Sequence, residues 1–335
     1  MRRHSPLPLF AATALAVTLA ACGGDDDAGT TSPAELRPVT LVLDWTPNTN
    51  HGGIYLADAN GWYTDAGIDL EIIQPGTAGG LQAVATGSAE FAISVQESLV
   101  PAQAEGVPVT SVAAIVQHNT SSLLALASTG IGGPADLPGH RYGGWGGPLE
   151  RALLDRLVEC AEGDPTAVDF VEVGNTDYRV GLESGAFDVV WVYDGWDKLR
   201  LEQAGVDVTT IPFIEHADCI PDWYTPLIAT SNTLVADDPE LVEAFISATA
   251  RGYDAAIADP GAAADALLAA APELDEALVR ASADYLAGQF TADADRWGEQ
   301  SPEVWEQFVA FLTDTELLDH APSDISAWYT NDFLP

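Results

Sequence analysis

Between positions 44 and 51 the chain sets a carboxylate, an indole, an amide and an imidazole: Asp44, Trp45, Asn48 and His51. A stacking face beside donors and acceptors is the chemistry of holding a ligand. The Asn48 amide can both donate and accept, and His51 can bond a ring nitrogen or merely cap the following helix. A plain strand-to-helix turn with Trp45 packed on the core would use the same residues, and both readings stay open. Covalent chemistry finds less support. No Gly-x-Ser-x-Gly, P-loop, His-Glu-x-x-His or dinucleotide fingerprint occurs. The six histidines have no ligand spacing, so neither a metal nor a cofactor is expected.

The elements that position these groups follow from patterning. Residues 39–43 read as a buried strand, stopped by Pro47, Asn48, Thr49 and Asn50, which favour turns. Gly52 and Gly53 open a helical run that closes at Asn60-Gly61. Asp44, Trp45, Asn48 and His51 therefore crowd the C-terminal end of a strand, where open α/β sheets bind ligands. Strands at 70–73, 91–94 and 109–116 alternate with helices at 79–86 and 98–105. A second run places strands at 141–142, 169–173 and 189–192 around helices at 149–159 and 179–183. This is the βαβ rhythm of a mostly parallel sheet. Beyond Leu234 the chain turns helical, through 240–258, 261–270, 274–285 and 302–313.

One stretch echoes another. An apolar helix end, Gly87, Glu90 and a strand to Ile93 recur as an apolar helix end, Gly185, Asp188 and a strand to Trp191. Glycine suits a left-handed helix terminus, and the acid can accept bonds from the turn before the strand. The echo predicts two similar α/β lobes, as does the length of 335 residues.

Composition narrows the partners. With 12 basic against 51 acidic residues the formal charge is −39, and Lys198 is the only lysine. Neutralising phosphates needs clustered Lys and Arg, so nucleic acid is excluded as a partner. The acidity serves solubility and reports little about a ligand.

The N-terminus has Arg2 and Arg3, an apolar run over 7–19, then Leu19-Ala20-Ala21-Cys22, which reads as a secretory signal. A Cys after Leu-Ala-Ala resembles a bacterial lipobox, implying a signal peptide over 1–21 and a lipidated Cys22. Residues 22–38 then form a flexible tether. The expected location is the cell membrane, lipid-anchored and facing the extracytoplasmic side. Cys160 and Cys219 remain, either as a disulfide in that oxidising compartment or as two unrelated buried thiols.

More aromatic residues fall near loop positions than a core requires: Trp45, Trp145, Trp191, Tyr193, Trp196, Trp223 and Tyr224. Trp191 and Tyr193 share one strand face, lining either the core or a cleft. Glu150, at a helix start after Gly146-Gly147-Pro148, can accept bonds from a ligand or only complement the helix dipole. Asp194 and Asp44 are its rivals.

The stretch from Asp44 to His51 with Gly61-Trp62-Tyr63, the run Tyr142-Gly143-Gly144-Trp145-Gly146-Gly147-Pro148-Leu149-Glu150, Gly195-Trp196-Asp197, Tyr224-Thr225-Pro226 and the tail from Thr330 to Pro335 resemble the ABC-importer solute-binding proteins for thiamine pyrimidine precursors. The likeness runs in order from about residue 39 to the C-terminus. It implies a type II periplasmic-binding-protein fold, two α/β lobes joined by two hinge crossings near 122–127 and 226–230. Lobe 1 would comprise 39–125 and 229–335, and lobe 2 would comprise 126–228. It also implies a ligand site of Asp44, Trp45, Asn48, His51, Gly144, Trp145, Glu150, Tyr193, Asp194, Trp196, Trp223 and Tyr224. Asp194 stands where the resemblance expects an aromatic residue.

A small heteroaromatic solute, a membrane permease as partner and a monomeric, non-enzymatic receptor are what the resemblance implies. Related synthases build the pyrimidine using a Lys followed four residues later by His and a cysteine-rich iron-binding run. Here Ser94 and Ser98 occupy the first place and Pro221-Asp222-Trp223-Tyr224 the second. Riboflavin, taurine, alkylsulfonate or nitrate binding is the alternative within the fold.

Overall fold

The computed structural model describes residues 36–335 apart from 175, 320, 321 and 323. The expected signal segment, Cys22 and the tether up to residue 35 lie outside the described residues. No helix among the described residues is long and apolar enough to cross a membrane.

In chain order the strands are β1 (Arg37–Val42), β2 (Ile68–Ile73), β3 (Phe91–Ser94), β4 (Val109–Ala114), β5 (Ser121–Leu126), β6 (Arg141–Gly144), β7 (Asp169–Glu172), β8 (Val189–Tyr193), β9 (Val208–Pro212) and β10 (Leu227–Ser231). They form two five-stranded sheets, ordered β2-β1-β3-β10-β4 and β7-β6-β8-β5-β9. In the first, β1 pairs in parallel with β2 and β3, while β10 runs antiparallel between β3 and β4. In the second, β6 pairs in parallel with β7 and β8, and β5 runs antiparallel between β8 and β9. The sheets thus match strand for strand, and each takes its antiparallel member from the chain arriving from the other.

The sequence echo lies at equivalent positions of this repeat. Gly87 and Gly185 end the helices before β3 and β8, both left-handed with φ of +71° and +67°. Glu90 accepts the Thr40 N–H of β1 at 2.7 Å, and Asp188 accepts the Arg141 N–H of β6 at 2.9 Å. The acids therefore bond the neighbouring central strand rather than their own turn. They satisfy an N–H that the short β3 and β8 do not reach.

The chain leaves the first sheet after Ala114, joins the second at Ser121, leaves it after Pro212 and returns at Leu227. The first crossing therefore lies ahead of the expected 122–127, because the apolar run Ser121–Leu126 is a strand paired on both sides. The second ends where 226–230 was expected to begin, since Leu227–Ser231 pairs as β10. Cys160, ending the helix Pro148–Cys160, is joined to Cys219 in the returning segment, with Cα atoms 6.0 Å apart. Such a crosslink removes about 4 kcal/mol of chain entropy from the unfolded state in the loop-closure model.

The helix Pro239–Ala258 buries Leu241, Val242, Phe245, Ile246 and Tyr253 along one face. Phe245 stacks on Phe91 of β3 at 3.8 Å between ring centroids, and Tyr253 stacks on Trp297 at 4.3 Å. This helix also meets the helix Gly52–Ala59 very closely. A Cβ on Gly252 would sit 2.0 Å from the Gly53 carbonyl oxygen, and one on Gly53 would sit 2.5 Å from the Tyr253 ring. Only glycine fits at that crossing. Gly53 so anchors the end of the loop that carries Asp44 and Trp45.

Candidate functional site

A cavity of about 1020 Å³ is lined by residues following the central strands of both sheets. Asp44, Trp45 and Asn48 come from the loop after β1, and Glu97 from the helix start after β3. Trp145 and Glu150 follow β6, and Tyr193, Trp196 and Asp197 end or follow β8. Because β1 corresponds to β6, Trp45 and Trp145 stand at equivalent places on the two sides. They are 57% and 60% exposed, where indoles ordinarily seek cover. Two large open aromatic faces in one concave site suit a flat ring.

The loop after β1 is braced from within. The Nε2–H of buried His51 donates to Asp44 Oδ1 at 2.8 Å, while its Nδ1 accepts the Asn48 N–H at 3.3 Å. Asn48 caps the short helix Thr49–His51, its Oδ1 accepting the Asn50 N–H at 2.9 Å and its amide donating to the Thr46 carbonyl at 3.0 Å. Both His51 nitrogens are engaged, and His51 lies behind Asp44 rather than on the cavity wall. Asp44 Oδ2 has no hydrogen-bond partner among the described residues.

Glu150 behaves differently. Its Oε1 accepts from the Tyr142 hydroxyl at 2.8 Å and its Oε2 from the N–H groups of Trp145 at 3.0 Å and Gly147 at 2.9 Å. It borders the cavity but serves the turn that presents Trp145. Gly144 is required beneath it, since a Cβ there would fall 2.4 Å from the Tyr142 ring.

Three further expected residues sit away from the wall. Trp223 is fully buried, stacked on Phe308 at 5.5 Å. Tyr224 is buried too, its hydroxyl accepting the Ser301 N–H at 2.7 Å. Asp194 turns to Ser122, whose hydroxyl donates to Oδ2 at 3.0 Å, and burial pushes its carboxyl up. Aromatic type near a loop did not separate core from cleft for Trp223 and Tyr224. Phe308 in the helix Pro302–Asp314 and Ser301 at its N-cap did.

Glu97 is the main cavity residue that the sequence reading passed over. Its Oε2 accepts the Trp223 indole N–H at 3.0 Å. Burial, reinforced by the Asp44 charge and opposed by the indole bond, pushes its carboxyl up to about 7. A signal was present: it is the first-turn acid of the helix Gln96–Ala104, directly after a strand in the first βαβ unit. Asp177, Tyr178, Asp197 and Arg200 close the far end, with Arg200 3.3 Å from Asp177 and 3.7 Å from Asp197. No cluster of His, Cys, Asp and Glu that could hold a metal occurs among the described residues.

Residues 48–263 match the family model described as NMT1/THI5 like. The chain belongs to the NMT1/THI5-like family. Proteins similar to it include the formylaminopyrimidine-binding protein of Halalkalibacterium halodurans, 28% identical over 85% of this chain and 87% of that one. The riboflavin-binding protein RibY of Chloroflexus aurantiacus is 28% identical over 90% of this chain and 87% of its own length. A 4-amino-5-hydroxymethyl-2-methylpyrimidine phosphate synthase of Legionella pneumophila is 27% identical over 89% and 92%. Binding proteins and a synthase thus stand among its relatives. Among solved structures, the periplasmic aliphatic sulphonate-binding protein SsuA of Escherichia coli superposes with a TM-score of 0.68 at 14% identity, covering 89% of this chain and 93% of that one. That likeness establishes the periplasmic-binding-protein fold, with two α/β lobes.

Proposed function

We propose that this NMT1/THI5-like protein is an extracytoplasmic solute-binding lipoprotein of an ABC importer, which holds a thiamine pyrimidine precursor between its lobes and delivers it to the permease. The observation that carries this reading is the pair of exposed indoles, Trp45 and Trp145, at equivalent places in one cavity, with Asp44 and Glu97 beside them. An aminopyrimidine offers faces for the indoles and amine protons for the carboxylates. Each stack contributes roughly 1–3 kcal/mol by analogy with bases on aromatics, and each charge-assisted bond about 1.5–3 kcal/mol.

Transport rather than synthesis is favoured by the residues at the synthase positions, where Ser94, Ser98 and the run from Pro221 to Tyr224 supply no amine, imidazole or thiol. Closure about the crossings 115–120 and 213–226 is the working motion, and the solute shifts the balance by binding the closed state more tightly. Cys22 carries the lipid, and the receptor acts as a monomer.

Calorimetric titration of the full chain with formylaminopyrimidine, hydroxymethylpyrimidine, thiamine, riboflavin and taurine tests the ligand class. Tight binding of a pyrimidine, weakened at least about tenfold in Trp145→Ala, is expected; binding of taurine or riboflavin alone would refute the pyrimidine. Mass spectrometry of membrane-extracted protein should find a diacylglyceryl group on Cys22, and Cys22→Ser should release the chain from the membrane fraction.

A further inference from the structure

The cavity walls carry five carboxylates, Asp44, Glu97, Glu150, Asp177 and Asp197, against one basic side chain, Arg200. That guanidinium is already held by Asp177 and Asp197. The short helix Tyr178–Ser184 begins at the cavity and is capped by Asp177; the longer Gln96–Ala104 and Pro148–Cys160 also begin there, and a helix N-terminus ordinarily welcomes an anion. Each of the longer two is filled at its start by an acid of its own first turn. Glu97 occupies the first, and Glu150 takes the Trp145 and Gly147 N–H groups at the second. The cavity's one cation and these two helix starts are thus met from within the chain.

Two of the carboxylates, by contrast, keep an oxygen open. Asp44 Oδ2 and Glu97 Oε1 have no partner from another residue among the described residues, and both side chains line the cavity. Each can accept an N–H from a ring. A phosphate ester brings a charge of about −1.5 to −2 at neutral pH, and the one cation on the cavity wall, Arg200, is already paired. Like charges brought together at a binding surface suppress the wrong partner strongly.

Resting on the reading of this cavity as the solute site, we infer that it selects the free alcohol form of an N–H-bearing heteroaromatic solute and rejects the phosphate ester, with Glu97 as the residue that sets this preference. Neutral and cationic rings are admitted. Glu97 both offers an acceptor to the ring's N–H and fills the helix start where a phosphate would dock.

The test uses two matched pairs, 4-amino-5-hydroxymethyl-2-methylpyrimidine with its phosphate ester and riboflavin with riboflavin 5′-phosphate, titrated calorimetrically into the full chain at pH 7.5. For whichever ring binds, the free form should bind at least about 30-fold more tightly than the ester, and added salt should narrow that ratio by screening. Glu97→Gln should lower the ratio at least about threefold. The double variant Asp177→Asn/Asp197→Asn, which frees Arg200, should strengthen ester binding about tenfold.

An ester bound as tightly as its alcohol in the unaltered protein overturns the inference while leaving the solute-site reading intact. So does a ratio that neither variant moves. If the riboflavin pair binds with the ester rejected and neither pyrimidine binds, the inference stands and the pyrimidine reading is left to the formylaminopyrimidine titration. If none of the four binds, the inference falls while that titration still decides the pyrimidine reading. Should Glu97→Gln fail to fold by circular dichroism, the unaltered protein and the double variant still decide.

Discussion

The loops after β1 and β6 occupy the same place in matching sheets and put an exposed indole at the same point, yet they use their carboxylates in opposite ways. After β6, Glu150 accepts from Tyr142, Trp145 and Gly147, so both its oxygens are consumed in shaping the turn. After β1, Asp44 lines the cavity, takes a single bond from His51 and keeps an oxygen without a partner among the described residues. One loop presents a face and the other presents a face with a polar edge. An acid beside an aromatic residue in a cleft is therefore no guarantee of ligand contact. Counting the donors it already holds separates the two carboxylates, and under the proposed function it leaves recognition to Asp44 and scaffolding to Glu150.

The sharpest way to break this comparison is to remove each acid in turn. Glu150→Ala leaves the buried Tyr142 hydroxyl and two backbone N–H groups without an acceptor, a loss of about 2–4 kcal/mol in stability. Urea unfolding measures it, and ligand affinity should fall with it as the Trp145 turn loosens. Asp44→Asn should do the reverse. The fold keeps its stability within about 0.5 kcal/mol because the amide oxygen still accepts from His51, while affinity for the solute drops by about 1.5–3 kcal/mol. If Asp44→Asn destabilises the fold and Glu150→Ala spares it, the assigned roles are inverted.

The indoles sharpen the same comparison from the other side. Trp45→Ala and Trp145→Ala should each weaken binding about tenfold and by similar amounts, since both expose one ring face to the cavity. A double-mutant titration checks whether they act on one ring. If both stack on it, the combined loss departs from the sum of the two single losses; simple additivity would mean they touch separate parts of the solute.

Much of this was readable from residue types. The strand-helix alternation, the place of the cavity after β1 and the Gly87/Gly185 repeat all follow from short-range patterning, which the period of apolar residues and left-handed glycines report directly. Long-range placement was less legible. The run Ser121–Leu126 was expected to carry the first crossing because nothing local distinguishes a buried antiparallel strand from an apolar connector. Trp223 and Tyr224 are aromatic residues near a turn, as Trp145 is, but Phe308 and Ser301, far away in sequence, claim them for the core. His51 was legible as a polar group near the site. That both its nitrogens turn to its own loop depended on how Asn48 folds the chain back.

The smallest effect concerns how the two lobes are joined rather than what lies between them. His118 in the first crossing donates from Nδ1 to Asp222 of the second at 2.7 Å and from Nε2 to Asp293 at 2.8 Å. With both nitrogens donating, the ring is an imidazolium. The Asp222 bond above all raises it to about 9, with partial burial opposing and the Asp293 bond adding. Because the folded value lies above the ordinary 6.5, its stabilising contribution is complete below pH 6.5, declines as pH rises and is gone above about pH 9. Exposure of the ring to solvent keeps the contribution small. Thermal unfolding followed from pH 6 to pH 9.5 should therefore show a modest fall in Tm that His118→Gln lacks, since glutamine bridges the same acids without titrating. Equal slopes for both proteins would mean that the crossings are held by Asp222 acting on the Asn119 and Trp223 N–H groups alone. The charged bridge would then play no part in coupling the lobes.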